Sequence, residues 1–324
     1  MVRNKRAKLY LKNYSRELMI VAALIFMVSV FTIINPSFIN WGNIKDIIDM
    51  STIYGLMALG MSFAIISGGI DLSAGASMAL MGIILAKMVN AGISPLICLP
   101  VTILCGGFFG AINGFLIAKM KIQPFIATLA TQNIFRGAAF LLTNGYPVTG
   151  ISSDFRNLIY GEVFSGIRIS SFIFIFAAIA ATILLKYTKF GNYVYAVGGN
   201  IEAARLSGVK CVKTKIMAFV VCGLCEALAA IVLVAKIGTA ECTAAQSYEQ
   251  QAIAAVAIGG ASMAGGRGTI MGAFLGAILL NCLRNGLIVV GVGTYWQYVA
   301  TGLVMIIAVS TELLQGRKKK QSKN

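Results

Sequence analysis

The sequence contains no histidine, so the commonest general base and metal ligand is missing. Its seven cysteines have no zinc-site spacing, and the Cys222–Cys225 pair, although spaced as CxxC, lies in an apolar run rather than after a strand. No GxxxxGK[ST] phosphate-binding loop occurs anywhere in the chain. We therefore expect no catalytic residue, bound metal or bound cofactor, and these absences argue against a membrane-embedded enzyme.

Charged residues are also scarce. They form 12% of the chain, against 58% apolar residues and a mean hydropathy of +0.84, whereas soluble proteins carry about 25% charged residues. The apolar residues come in long blocks with no large polar region between them. The sequence predicts an all-α polytopic membrane protein with about ten transmembrane helices, some short or broken. The predicted segments are a basic start (1–17), one transmembrane domain (18–313) with an internal loop (187–215), and a basic tail (314–324).

The net charge of +16 would suggest nucleic acid binding in a soluble protein. Here the basic residues cluster on one side of the predicted membrane, with six in the first 16 residues and five after Gly316. This asymmetry is the positive-inside pattern, so we expect both termini in the cytoplasm and no nucleic acid partner. Leu18 to Ile34 has no cleavage pattern and is predicted to be a retained first helix.

One apolar run is too short to cross a bilayer. It extends for 13 residues from Gln251 to Met263, whereas a crossing needs about 20. A glycine-rich break with one charge follows, and discontinuous helices of this kind recur in translocation paths. A segment with weak sequence similarity to this one begins at Gly68-Gly69. The residues assigned to the break are Gly259, Gly260, Gly265, Gly266, Arg267 and Gly268.

Two glycine ladders have the four-residue spacing that brings helix backbones close together. The first comprises Gly106, Gly110 and Gly114, and the second comprises Gly268, Gly272 and Gly276. Both predict tight helix packing.

The internal loop contains a short helix signal. Asn200 is suited to cap a helix that has Glu202 in its first turn and Gly208 beyond its end, after helix-breaking glycines from Gly191 onward. On its own, the pattern fits either a docking element or an ordinary solvated loop.

Five motifs, spread in order along the chain, resemble those of a known protein family. GGIDLSAGASMAL, QPFIATLATQNIFRG, LTNGYPV, YAVGGNIEAARLSGV and YEQQAIAAVAIGGASMAGGRGTIMG resemble the ribose and monosaccharide branch of ATP-binding-cassette importer permeases. Within the fourth, Glu202-Ala203-Ala204 followed by Gly208 resembles the EAA---G loop of those permeases. The similarity extends from about Phe38 to Val309.

The resemblance implies a subunit that imports a monosaccharide without hydrolysing ATP itself. Implied partners are a second permease copy or relative, a cytoplasmic ATPase that holds ATP and magnesium, an extracellular or periplasmic sugar-binding protein, and the lipid of the bacterial inner membrane. The ATPase-coupling residues would be Asn200, Glu202, Ala203, Ala204, Arg205 and Gly208.

A path for a neutral sugar needs hydrogen-bonding groups without fixed charge, although each such residue is also suited to bridging helices. For Asp71 and Arg136 we favour pinning or gating over sugar contact. Glu226 departs from the family pattern and could pair with Arg284 or be protonated, and Gln250-Gln251 stands where an acid often follows Tyr-Glu. The candidates for the path or gate are Asp71, Ser73, Asn113, Gln123, Thr128, Thr131, Gln132, Asn133, Arg136 and Asn144.

A self-contained secondary transporter or channel is the alternative. It would need a relay of titratable groups within the membrane. The candidates for such a relay are few, namely Asp71, Glu226, Arg136 and Arg284. The sequence leaves open which sugar is carried and whether the permease pair is homodimeric or heterodimeric.

Overall fold

A computed structural model describes residues 15–297, 299–304, 306 and 310. Most of the basic N-terminal segment, all of the tail 314–324 and part of the last predicted crossing lie outside these residues. A short 3₁₀ helix (Pro36–Ile39) and a two-stranded hairpin, β1 (Glu162–Phe164) and β2 (Ile167–Arg168), accompany the helices. The helices are α1 (Ser15–Ile34), α2 (Trp41–Ile66), α3 (Ala74–Asn90), α4 (Pro95–Ala118), α5 (Pro124–Thr143), α6 (Ser153–Tyr160), α7 (Ile169–Tyr187), α8 (Lys189–Gly199), α9 (Ile201–Leu206), α10 (Cys211–Ile237), α11 (Tyr248–Ile258) and α12 (Ile270–Val289).

Seven of the described helices are long and apolar enough to cross a membrane, namely α1, α2, α4, α5, α7, α10 and α12. Helix α3 is apolar but has only 17 residues, and α11 has 11. Residues 294–297 and 299–304 begin a further helix. The protein is therefore a mostly helical, multi-pass membrane protein.

The two central helices are α2 and α10. In the most apolar 18-residue stretch of each helix, 78% of the residues are buried in α2 and 72% in α10, whereas 11% are buried in α1. The first glycine ladder lets α4 approach α10 closely, because added methyl groups at Gly106 and Gly110 would meet the backbone of Gly223 and Phe219. The prediction of tight helix packing is confirmed for this ladder.

The second ladder is confirmed as a packing surface at Gly272 and Gly276, whereas Gly268 lies in the break before α12 begins and is not part of the helix. Gly272 lies against the backbone of Gly259, and Gly276 lies against Ala255, so α12 folds back closely along α11. The break between these helices is where the sequence places it.

Two breaks between helices have the same construction. Helix α2 ends at Ile66 and is followed by Gly68 at φ 79°, and α11 ends at Ile258 and is followed by Gly260 at φ 81°. A left-handed glycine after the last turn lets the chain leave the helix without a side-chain clash. We call the segment 67–73 the first break and 259–269 the second break.

Two sequence expectations need correction, and a third is extended. Hydropathy predicts that the second span begins at Met50, but α2 begins at Trp41, because Asn40 caps a polar first section that hydropathy does not reveal. Gly191 does not break a helix, since α8 runs through it after its cap at Thr188. The composition of segment 143–168 allows a short surface helix or no regular structure, and the segment contains both the short helix α6 and a hairpin.

Candidate functional site: the coupling helix and the two breaks

Helix α9, which the resemblance predicts to couple the permease to an ATPase and which we call the coupling helix, is short and presents an exposed surface. The side-chain oxygen of Asn200 accepts hydrogen bonds from the backbone N–H groups of Glu202 and Ala203 at 3.1 and 3.0 Å, as the sequence predicts. Ala204 is buried against the bundle, whereas Leu206 is 86% exposed. An exposed leucine beside charged side chains is suited to docking against another protein.

Gly208 closes this helix at φ 82°, and nothing lies within 4 Å of a methyl group placed on it. Glu202 and Arg205 form an exposed ion pair at 2.6 Å. An exposed pair of this kind contributes only about 0.2–1 kcal/mol. These side chains therefore do little to hold the fold and are available at the surface.

Helix α8 connects the coupling helix to both breaks. Asn200 ends α8 and caps α9 at the same time. A methyl group added at Gly198 would collide with the carbonyl oxygen of Ile66 and lie 2.7 Å from the Gly266 nitrogen. The Gly266 N–H also donates to the Ile66 carbonyl at 2.8 Å. We call this meeting point of Gly68, Gly198, Gly199, Gly265 and Gly266 the glycine junction.

Two side chains reinforce the glycine junction. The Tyr195 hydroxyl donates to the carbonyl oxygen of Gly268 at 2.7 Å, and the Lys215 ammonium donates to the carbonyl oxygen of Gly68 at 3.2 Å. Lys215 thus places a cation at the C-terminal end of α2, where helix carbonyls are unpaired. Neither residue was singled out from the sequence; the pair Gly198-Gly199 beside a tyrosine was the available signal.

A buried polar network crosses the first break. One oxygen of Asp71 accepts from the backbone N–H and the hydroxyl of Ser73 at 2.9 and 2.6 Å, and the other accepts from the Asn113 amide at 2.9 Å. Thr131 donates to Asn113 at 2.6 Å, and Thr128 donates to the Ile70 carbonyl at 3.2 Å. The network ties the first break to α4 and α5, so these five candidate path residues lie together.

Glu226 forms a second buried group next to this network. It accepts hydrogen bonds from Ser77 at 2.6 Å and from the Cys222 thiol at 3.3 Å. Arg284 instead donates to the Tyr54 hydroxyl at 3.1 Å. The suggested pairing of Glu226 with Arg284 is therefore wrong, because each side chain has a nearer partner on the helices that pack against it.

Three potential metal-ligand atoms, one each from Asp71, Cys222 and Glu226, lie within 4.8 Å of one another. Both oxygens of each carboxylate already accept hydrogen bonds from side-chain or backbone donors. This arrangement has the chemistry of a hydrogen-bonded brace between helices, and the acids are best described as part of it.

Arg136 connects α5 to the segment before α11. Its guanidinium donates to the carbonyl oxygens of Cys242 and Ala244. The nearby Glu249 is buried, with one oxygen beside Gly75 at the start of α3. The contacts of Arg136 are those of a residue that pins two chain segments together.

The other candidate path residues lie apart from the network. Gln123 is exposed at the start of α5, Asn133 is exposed on the same helix, and Asn144 ends it in a left-handed conformation at φ 51°. Gln132 is half-buried. The structure therefore divides the polar residues of α5 between an internal brace and an outer surface.

Comparison with known proteins identifies the family to which this chain belongs. A family model described as "Branched-chain amino acid transport system / permease component" matches residues 43–309. The ribose import permease protein RbsC of Bacillus subtilis (strain 168) is 40% identical over 287 residues, covering 88% of this chain and 89% of the relative. RbsC of Haemophilus influenzae (strain ATCC 51907 / DSM 11121 / KW20 / Rd) is 37% identical over 323 residues, covering 98% of this chain and 100% of the relative.

The D-allose transport system permease protein AlsC of Escherichia coli (strain K12) is 36% identical over 293 residues, covering 90% of both chains. No solved structure matches the chain. The family match spans most of the chain, from within α2 to the last helix, and includes both breaks and the coupling helix. The chain belongs to this family of transport-system permease components and is a transporter subunit rather than an enzyme.

Proposed function

We propose that this chain is the membrane-spanning permease subunit of an ATP-binding-cassette importer for a monosaccharide such as ribose or a similar pentose or hexose. Relatives at 35–40% identity are named for ribose, D-allose and galactose or methyl galactoside. Over most of their length these relatives align with this chain, so a shared solute class is the simplest inference. The family description names branched-chain amino acids, which makes leucine the natural competitor in a transport test.

The single observation that carries the mechanism is the glycine junction. Through it, α8 contacts the end of α2 and the second break directly, and α8 leads through the single residue Asn200 into the exposed helix α9. A partner ATPase that displaces α9 would therefore move both breaks. ATP-driven closure of the partner would in this way open or shut a path around 67–75 and 259–268, which is alternating access.

The proposed partners occupy opposite ends of the bundle. A cytoplasmic ATPase with ATP and magnesium would dock on α9, and a sugar-binding protein would dock at the other end, near α6 and the hairpin. A second permease copy or relative completes the pore. Exposed apolar side chains such as Phe26 on α1 and Phe176 on α7 suit contact with the lipid of a bacterial inner membrane.

The proposed topology has ten crossings with cytoplasmic termini. It adds α3, the broken α11 segment and the last helix to the seven long spans. Basic residues at the α9 end, including Lys189, Arg205 and Lys213, support a cytoplasmic location for that end, whereas Asp46 and Asp49 lie at the other.

Reconstitution tests the proposal. The permease, its ATPase and the binding protein are placed in proteoliposomes, and uptake of D-ribose and of L-leucine is measured with ATP, without ATP, and without the ATPase. We expect ribose uptake that needs both ATP and the ATPase. Ribose uptake that persists without the ATPase would identify a stand-alone secondary transporter, and uptake of leucine alone would move the chain to the other solute class.

A further inference from the structure

A cavity of about 630 Å³ opens at the end of the bundle opposite the coupling helix. It lies between the early part of α2, the last turn of α10, the first residue of α11 and the end of α12, and residues 291–294 form its rim. None of the candidate path residues lines it. Its volume falls in the range of about 300–1,000 Å³ that small-molecule sites occupy.

Two tyrosines form one wall of this cavity. The rings of Tyr54 and Tyr248 have centroids 4.6 Å apart and are tilted by 48°. The Arg284 guanidinium donates to the Tyr54 hydroxyl, and the buried Gln297 donates to the Val292 carbonyl at 3.1 Å. The cavity therefore combines aromatic faces with a few converging polar groups, which is the usual composition of a specific ligand site.

The charged residues that line the cavity favour a neutral solute over an amino acid. Its basic residues are Arg284 and Lys236, and Lys236 is paired with Asp49 at 2.7 Å. No described residue that lines the cavity is acidic. An amino acid would place its ammonium group here without a free counter-charge, because the adjacent Asp49 is already paired with Lys236, and an unpaired charge is costly away from water. A neutral polyhydroxylated ring suits the site better, with its C–H face on a tyrosine and its hydroxyls toward the guanidinium and amide.

The same tyrosines lie on the helices that meet at the glycine junction. Tyr54 is on α2, whose last residue accepts a hydrogen bond from Gly266, and Tyr248 is the first residue of α11, which ends at the second break. Movement of the breaks would therefore change the spacing of the aromatic pair. This gives the cavity a direct connection to the coupling helix.

We propose that the cavity bounded by Tyr54, Tyr248, Arg284 and Gln297 is the site where the permease receives its monosaccharide before translocation. The proposal rests on the proposed function for the identity of the solute. It assigns recognition to Arg284 and the tyrosine pair, whereas the network around Asp71 holds the helices together.

Site-directed labelling in the assembled transporter tests this site directly. Ile288 lines the cavity and is 49% exposed, so the Ile288→Cys variant should react with a membrane-impermeant maleimide added from outside. We expect D-ribose to slow this labelling and L-leucine to leave it unchanged. Phe164→Cys, on the exposed external hairpin and outside the lining, is the matched control and should show no protection by either solute.

Transport by cavity variants supplies a second readout. Arg284→Gln removes a charged donor, so we expect ATP-dependent ribose uptake to fall about tenfold or more and ribose to lose its protection of Ile288→Cys. Tyr248→Leu should also lower uptake. Phe176→Leu, which also replaces an aromatic ring by leucine but at an exposed position on α7, should not, and co-purification of the ATPase with each variant reports intact assembly.

The outcomes separate this proposal from the proposed function. Suppose that the wild-type complex imports ribose, that ribose does not protect Ile288→Cys from labelling, and that ribose uptake is unchanged in Arg284→Gln. The proposed site is then overturned, and the proposed function stands. If the wild-type complex imports no sugar, both fall. If purified wild type retains a phospholipid that Arg284→Gln loses, and ribose gives no protection, the cavity is a lipid site and the proposal is overturned.

Discussion

Tyr195 and Gly268 are joined by a 2.7 Å hydrogen bond in which the phenol donates to the glycine carbonyl oxygen. The bond links α8 to the last part of the second break. Burial raises the pKa of Tyr195 above its ordinary value. The phenol is therefore protonated throughout the neutral pH range, and the link remains in place wherever the transporter operates.

Replacing Gly198 by alanine should separate the coupling helix from the breaks. The added methyl group would collide with the Ile66 carbonyl, and overpacking of this kind costs about 1–3 kcal/mol. We expect ATP hydrolysis to continue while ribose uptake per ATP falls. Gly199→Ala is the control, because its methyl group would meet only the Gly266 Cα at 4.0 Å. Equal coupling ratios in the two variants would contradict the role of the junction.

Leu206→Asp should weaken docking of the ATPase without unfolding the permease. Leu206 is 86% exposed, so a carboxylate there costs the isolated chain little, but it would be buried against the partner. We expect the affinity for the ATPase to fall about tenfold or more, measured by titration in nanodiscs. Met120→Asp places the same charge on another exposed apolar residue, in the turn after α4. If both variants weaken binding equally, α9 is not the principal contact.

Asn113→Ala should destabilise the permease. Asn113 donates to Asp71 and Ser73 and accepts from Thr131, so its loss leaves buried partners unsatisfied. The expected cost is about 1–3 kcal/mol, visible as a lower thermal unfolding temperature in detergent. Asn133→Ala, at an exposed position on α5, should change that temperature much less. Similar losses in the two variants would argue against a structural role for the network.

Tyr160→Phe tests the outer contact between α6 and two spanning helices. The Tyr160 hydroxyl donates to Asp49 at 2.5 Å, and Lys236 donates to the same carboxylate oxygen. Burial, and then the hydrogen bond to Asp49, raises the pKa of Tyr160 well above its ordinary value. The stability it contributes is thus complete below the ordinary tyrosine value of about 10 and is lost as pH rises through the folded value.

We expect the Phe variant to lose about 0.5–1.5 kcal/mol at neutral pH, with the difference from wild type shrinking only in strongly alkaline solution. Thermal unfolding measured across pH provides the comparison. A difference that changes between acidic and neutral pH would mean that another group controls this contact.

Hydropathy and glycine spacing locate the seven long apolar helices and the second break, and the capping pattern from Asn200 to Gly208 locates α9. The packing of both glycine ladders follows from the same pattern, because close helix approach leaves small residues at fixed intervals. The start of α2 and the course of α8 did not follow, since polar residues and a glycine within helices resemble loop composition. Caps at Asn40 and Thr188 decide those boundaries.

Partner choice within the site was harder to predict. Glu226 and Arg284 are residues of opposite charge type on two apolar helices, yet their hydrogen-bond partners are Ser77 and Tyr54. The tyrosine-lined cavity also lacks a sequence signal, because its residues come from five helices and a loop. Only the relative rotation of the helices brings them together.

The dual role of Asn200 has a mechanical consequence. Because Asn200 both ends α8 and caps α9, we expect the two helices to move together with a fixed angle between them. Tyr195 lies five residues before Asn200, which is about 7.5 Å along the helix. One residue inserted into α8 between them would rotate α9 by about 100° about the α8 axis, relative to Tyr195. The length of this segment is therefore as tightly constrained as its composition.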